Sequence, residues 1–303
     1  MSPTFGLSDY HVHTPMCRHA TGSIEEYIRA AVARGMEQIC FTDHIPLPDG
    51  VDGELRMSLD DLDIYLGELD EARSRHQEIE ILIGIEADYI ERYESYLAQL
   101  IQGHPFDYVL MSIHTISFDN DRSFDKDRSL DKDRGYLRAY DYLEGDLLLD
   151  AEQVCAHYFA SALAGIRTGL FDAVAHLDLI KHPDLGVPAG FDRHVDTVID
   201  AAASAGMAIE LNTSGRRKRI GEYYPSPAAV RRIIDAGVPL VLGSDAHAPE
   251  HVGFELARAL EQITRLPGAR LARYRRREQT VLPASDVRSG TASSRSRSRH
   301  EPC

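Results

Sequence analysis

Short apolar runs alternate along this chain with longer stretches whose apolar residues recur every three to four positions, the pattern of successive strands and amphipathic helices. The runs near 7–11, 37–42, 80–86, 107–113, 172–176, 207–211 and 238–243 predict strands. Between them SIEEYIRAAVARG, SLDDLDIYLGELDEARSRH, DAEQVCAHYFASALAGIRTG, FDRHVDTVIDAAASAG and SPAAVRRIIDAG predict helices, several opening on Ser or Asp and stopping at Gly as caps prefer. Seven βα units account for the pattern, which makes the chain an α/β protein built on a parallel sheet or barrel.

Two segments depart from this alternation. Residues 118–135 are three near-copies of a hexapeptide, FDNDRS, FDKDRS and LDKDRG, too short for a solenoid and too polar to pack, so a flexible charged insertion is expected there. From residue 283 the chain turns rich in Ser and Arg, and 283–303 is expected to be a disordered tail after a single domain over 1–282.

Composition narrows the possibilities. A chain of 303 residues with 43% hydrophobic content can bury a sizeable core. A formal net charge of -15 disfavours a general nucleic-acid binder, so no nucleic-acid partner is expected, and any phosphate must meet a local basic site. No apolar run reaches the length of a membrane span and the N-terminus lacks the features of a signal peptide, so a cytoplasmic protein without a membrane partner is expected. Cys17, Cys40, Cys155 and Cys303 show no CxxC pairing and read as free thiols, Cys17 as a small packing residue rather than a ligand.

The chemistry lies at the strand ends. His11 and His13 in SDYHVHT are two residues apart at the end of a strand, so both imidazoles lie on one side of the pleat and can reach one ion. His19, His44 in FTDHIP, Glu86 in GIEADY, His114 in MSIHTI, His176 in VAHLDLI, and Asp245 and His247 in GSDAHAPE recur at or just after strand ends. Active sites of α/β barrels assemble at that face. So many ligand-type residues exceed the needs of one ion and predict a hydrolase with a multinuclear centre holding roughly two to three divalent ions. Imidazoles favour Zn, Fe, Mn or Co over Ca and Mg. The other histidines, His76, His104, His157, His194, His251 and His300, read as surface or satisfied residues, and His182 is ambiguous. After the sixth strand, NTSGRRKRIGEYYPSP places a basic cluster at the same face, with Arg217 and Lys218 the candidate phosphate contacts and Arg18 a further one.

Taken together, HxH, the His six residues on, TDH, the strand-end Glu, the two later His and SDAH resemble the PHP (polymerase and histidinol phosphatase) family from about Asp9 to Gly253, within it the histidinol-phosphate phosphatases. The resemblance implies a distorted (β/α)7 TIM-like barrel with three ions at the C-terminal face of the strands. It implies that His11, His13, Glu86 and Asp245 bind one ion, that Glu86 bridges to a second held by His114 and His176, and that His19, His44 and His247 hold the third. It further implies hydrolysis of L-histidinol phosphate, a small phosphate ester, in histidine biosynthesis. Asp245 and His247 are the candidates for protonating the leaving group. Alternatives are a PHP phosphoesterase acting on nucleotides or short oligonucleotides, a noncatalytic metal-binding module, and an amidohydrolase-type enzyme acting on amides or lactones. The absence of Trp and the acidic composition argue against the nucleotide version, and Glu86 as bridge argues against the last.

Overall fold

The computed structural model describes residues 5–117, 136–143 and 150–289. Seven parallel strands follow one another in chain order: β1 (Ser8–Val12), β2 (Gln38–Phe41), β3 (Glu80–Asp88), β4 (Tyr108–Ser112), β5 (Ala173–Val174), β6 (Ala208–Asn212) and β7 (Leu240–Gly243). Each pairs in parallel with the next. The chain just past β7 returns to β1, where the His13 amide donates to the Ala246 carbonyl at 2.9 Å and the Ala246 amide to the His11 carbonyl at 3.3 Å. The sheet therefore closes into the expected (β/α)7 TIM-like barrel.

A helix follows each strand: α1 (Ile24–Ala33), α2 (Leu59–Arg75), α3 (Glu94–Gly103), α4 (Ala151–Thr168), α5 (Phe191–Ala205), α6 (Pro227–Asp235) and α7 (Leu256–Thr264). Capping fixes several starts. The Ser58 hydroxyl of α2 accepts from the Asp61 amide at 3.3 Å while the Asp61 carboxylate accepts from the Ser58 amide at 2.9 Å, satisfying two end groups reciprocally. Two of these helices, α3 and α7, were not expected from sequence. Neither is opened by a side-chain cap or stopped by a left-handed glycine, and each of the other five has at least one of the two.

The core forms two layers. Between strands and helices lies a continuous aliphatic and aromatic shell, and inside the barrel a smaller cluster includes Tyr10, Cys40, Leu82, Tyr108, Leu110, Ala208 and Val241. These interior residues belong to the same inward rows that reach the functional site at the other end. Beyond α7 a hairpin of β8 (Arg270–Arg275) and β9 (Glu278–Pro283) runs across the N-terminal ends of the strands. The Tyr274 amide donates to the Tyr10 hydroxyl at 2.9 Å, the Tyr274 hydroxyl to the Asp172 carbonyl at 2.8 Å, and the Arg277 amide to the Asp107 carbonyl at 2.9 Å. The hairpin is the barrel's floor, which leaves the opposite face open.

Order extends beyond the boundary read at residue 283. Val287–Arg288 pairs in parallel with Phe5–Gly6, so the segment after β9 is tied to the start of the chain by backbone hydrogen bonds that its composition does not announce. The rest of the expected tail, from 290, lies outside the described residues, as does the hexapeptide array at 118–135. Its flanks, Thr115–Ser117 and Tyr136–Arg138, form an antiparallel pair. Cys17, Cys40 and Cys155 are free and buried. Among the described residues, no helix is long and apolar enough to cross a membrane.

Candidate metal centre and active site

Strand alternation delivers three members of the cluster. The inward row of β2 runs Cys40, Thr42, His44, that of β3 runs Leu82, Gly84, Glu86, and that of β4 runs Leu110, Ser112, His114. Three ligand-type positions need a local departure. In β1 the register shifts between Asp9 and Val12, so that Tyr10 faces the interior cluster and His11 also turns inward. His176 and Asp245 have positive φ, 21° and 52°, a conformation costly for residues with a Cβ and concentrated at functional sites. Asp9 holds the β1 bulge, accepting from the Ser244 amide at 2.9 Å and the Gly253 amide at 2.8 Å.

The nine side chains meet around Glu86. Its Oε2 stands 3.3 Å from His11 Nε2, 3.4 Å from His13 Nε2 and 3.0 Å from His44 Nδ1. Its Oε1 stands 3.2 Å from His176 Nε2 and 3.7 Å from His114 Nε2. Asp245 Oδ1 is 3.7 Å from His11 Nε2, 3.5 Å from His13 Nε2 and 3.3 Å from His247 Nδ1. His19 stacks beside His44 and His247, with ring centroids 5.4 and 4.5 Å away. Ligand atoms about 2.0–2.1 Å from one tetrahedral ion stand roughly 3.3 Å apart, and these separations bracket that figure. Glu86 Oε2 is buried without a hydrogen bond, although three imidazole nitrogens surround it. The donor set and spacing fit divalent transition-metal ions. Cys17 is also close: its sulfur falls in one group with His19 and His247 and in another with His13 and Asp43.

The electrostatics point the same way. Burial pushes the Glu86 carboxyl up, but His44, His11 and His114 outweigh it and hold it well below the usual carboxylate range. Asp245 is likewise held well below its ordinary value against burial, by His11, Lys218 and His13. Burial lowers His11, yet Glu210, Glu86 and Asp245 raise it well above an ordinary imidazole. His44 is lowered to about 3, chiefly by burial, and burial also leads in lowering His114 and His247. A buried nest of carboxylates thus demands positive charge, which a cation held among the converging side chains can supply.

A cavity of about 510 Å³ opens above the cluster. Arg217 and Lys218 are on its wall, as expected. The Arg217 Nη2 is anchored by the Ser244 and Asp245 carbonyls, both at 2.9 Å, while its buried Nη1 has no partner. Lys218 Nζ lies 5.5 and 5.8 Å from the ring centroids of Tyr140 and Tyr224 and 3.8 Å from Asp245 Oδ2. Burial lowers Lys218, but Tyr140 and Asp245 outweigh it and keep the ammonium charged. Arg18 is not on the wall: its guanidinium turns to the Gly53 carbonyl at 2.7 Å and Asp61 at 3.4 Å.

The sequence reading missed Arg56, Arg138, Tyr140 and Asp52, which line the cavity, and set aside His251, which also lines it. Arg138 Nε contacts Asp52 at 2.6 Å, and Arg56 reaches Asp52 at 3.6 Å and Asp88 at 3.5 Å. Burial raises Asp88 to about 6. His182 is not at the cluster: its Nδ1 accepts from the Asp184 and Leu185 amides at 3.2 and 3.1 Å.

Residues 9–214 match the PHP domain family. A Deinococcus radiodurans protein named probable histidinol-phosphatase is 36% identical over 279 residues, spanning 90% of this chain and 98% of its own length. The chain belongs to the PHP domain family. The histidinol-phosphatase of Bacillus subtilis is 26% identical over 278 residues, covering 84% of this chain and 98% of that protein. The crystal structure of histidinol phosphate phosphatase from Lactococcus lactis, solved with zinc, L-histidinol and phosphate, superposes with a TM-score of 0.72 at 22% identity, over 91% of this chain and 100% of that one. The PHP resemblance drawn from the strand-end motifs is therefore correct, and the fold is the one that it implies.

Proposed function

We propose that this PHP protein is a metal-dependent phosphomonoesterase that hydrolyses L-histidinol phosphate to L-histidinol and phosphate. The observation that carries the reading is Glu86, whose two carboxylate oxygens each face a separate group of imidazoles. His11, His13, Glu86 and Asp245 would hold one ion, Glu86, His114 and His176 a second, and His19, His44 and His247 a third, with Zn, Fe or Mn the fitting metals. When bound, the ions supply charge neutralisation at the phosphoryl oxygens and a nucleophile available at neutral pH, both needed because phosphate monoesters hydrolyse extremely slowly unaided.

The protein's own groups do the rest. The unpartnered Nη1 of Arg217 and the ammonium of Lys218 orient the phosphoryl oxygens from the cavity wall, which Arg56 and Arg138 also line. As water attacks phosphorus and the ester P–O bond breaks, Asp245, held unprotonated, takes the water's proton and returns it to the leaving alkoxide, while His247, lowered by burial, holds no proton to give. A cavity of about 510 Å³ suits a small ester rather than a polymer groove. The names of the Deinococcus and Bacillus relatives and the histidinol bound by the Lactococcus protein support the choice of alcohol. On this reading the protein works in the cytoplasm, in histidine biosynthesis.

The test is steady-state phosphate release from L-histidinol phosphate against sugar phosphates and nucleotides, with manganese- or zinc-loaded enzyme. A kcat/KM for histidinol phosphate well above the others is expected. Turnover of nucleotides with none of histidinol phosphate would overturn the assignment.

A further inference from the structure

Glu210, on β6, lies outside both the cavity wall and the nine-residue cluster, yet it touches ligand-type residues of two ion sites. Its Oε1 is 2.7 Å from His11 Nδ1, and its Oε2 accepts from the His176 backbone amide at 2.8 Å. By accepting a hydrogen bond from Nδ1–H, Glu210 favours the His11 tautomer whose Nε2 faces Glu86 and His13. Gripping the His176 amide stabilises a residue whose φ of 21° aims its ring at Glu86 Oε1. Asn212 donates to the same Oε2 at 3.1 Å, so the carboxylate is held as well as holding.

A second observation shows that the fold keeps room for this contact. A Cβ on Gly243, the last residue of β7, would lie 2.0 Å from Glu210 Oε1 and 2.7 Å from His11 Cβ. Only glycine at 243 leaves the Glu210–His11 pair in place.

We infer that Glu210 is a positioning residue coupling two ion sites, so that the ion held by His11, His13, Glu86 and Asp245 and the ion held by Glu86, His114 and His176 bind as a pair. The inference rests on the proposed metal centre. It adds that the first two ions are linked through one buried carboxylate behind the ligands, independently of the bridge that Glu86 makes in front.

The test compares wild type with Glu210→Gln and Gly243→Ala, counting zinc per chain by mass spectrometry after dialysis against graded chelator and measuring the melting temperature of the metal-free proteins. All three Glu210 partners, His11 Nδ1, the His176 amide and Asn212 Nδ2, are N–H donors, and a Gln side chain offers one acceptor and one donor group, so at least one contact becomes donor against donor. Glu210→Gln is expected to weaken two ions together by about 10–100-fold while the ion at His19, His44 and His247 stays bound. Gly243→Ala reaches the same pair without changing charge and is expected to do the same, so either variant suffices if the other fails to fold. Unchanged affinity, loss at one site alone, or parallel loss of all ions with a fall in metal-free melting temperature would each overturn the coupling. A wild-type chain that takes up no zinc would overturn the metal centre itself, which separates the two failures.

Discussion

Lys218 shows how much a single residue's setting decides. Its ammonium sits near two tyrosine rings and 3.8 Å from Asp245, with the cavity in front of it. Lys218→Ala is expected to lower kcat/KM about 10–100-fold, the scale of a charged hydrogen bond worth roughly 1.5–3 kcal/mol, with metal content unchanged. Arg18, the other cation suggested by its place beside His19, spends its guanidinium on Gly53 and Asp61, so Arg18→Ala should leave kcat/KM within about twofold. Equal losses in the two variants would contradict this division of labour. His44, Glu86 and His114 were legible because strand alternation aims them at one face. Arg56, Arg138 and Glu210 were not, since an Arg in a loop or a Glu within a strand gains meaning only from partners far away in sequence.

Among the elements, β3 is held tightly against β2. A Cβ at Gly84 would meet Cys40 Sγ at 2.8 Å and the Phe41 carbonyl at 2.9 Å, the latter unable to move without disturbing β2. Gly84→Ala is therefore expected to cost about 1–3 kcal/mol, read as a lower urea midpoint of the metal-free protein. A stability equal to wild type would show that β2 and β3 are looser than described. His76 ties α1 to the turn before β3, contacting Glu25 and Glu78, each at 2.7 Å. Glu78, then Glu25, raise its pKa, with burial opposing. A raised imidazole stabilises fully below its unfolded value, about 6.5, and loses that stability as pH rises through the folded value. The melting-temperature gap between wild type and His76→Gln should therefore be wider at pH 6 than at pH 9; a gap that ignores pH would refute the ion pairs. The strands and five helices could be placed from sequence because turn and cap residues punctuate them. The β1 bulge and the positive φ of His176 and Asp245 could not, because they arise from closure of the barrel rather than from local preference.

At the scale of the molecule, the hairpin of β8 and β9 shuts one end of the barrel and the histidine cluster occupies the other, so substrate can meet the ions only at the C-terminal face. That floor escaped the sequence reading because it is held by contacts such as Tyr274 with Tyr10, which span nearly the whole chain. The net charge of -15 hides the local cations Arg217, Lys218, Arg56 and Arg138 that face an anionic ester. The proposed function has ions held by the nine-residue cluster drive phosphate release from L-histidinol phosphate. Its most direct test is to strip the protein with chelator, return zinc or manganese in steps, and follow phosphate release and bound metal in the same sample. The stripped protein is expected to show no turnover, and the rate to rise with added metal to a plateau at roughly two to three ions per chain. An undiminished rate without metal, or no phosphate release at any metal load, would contradict it.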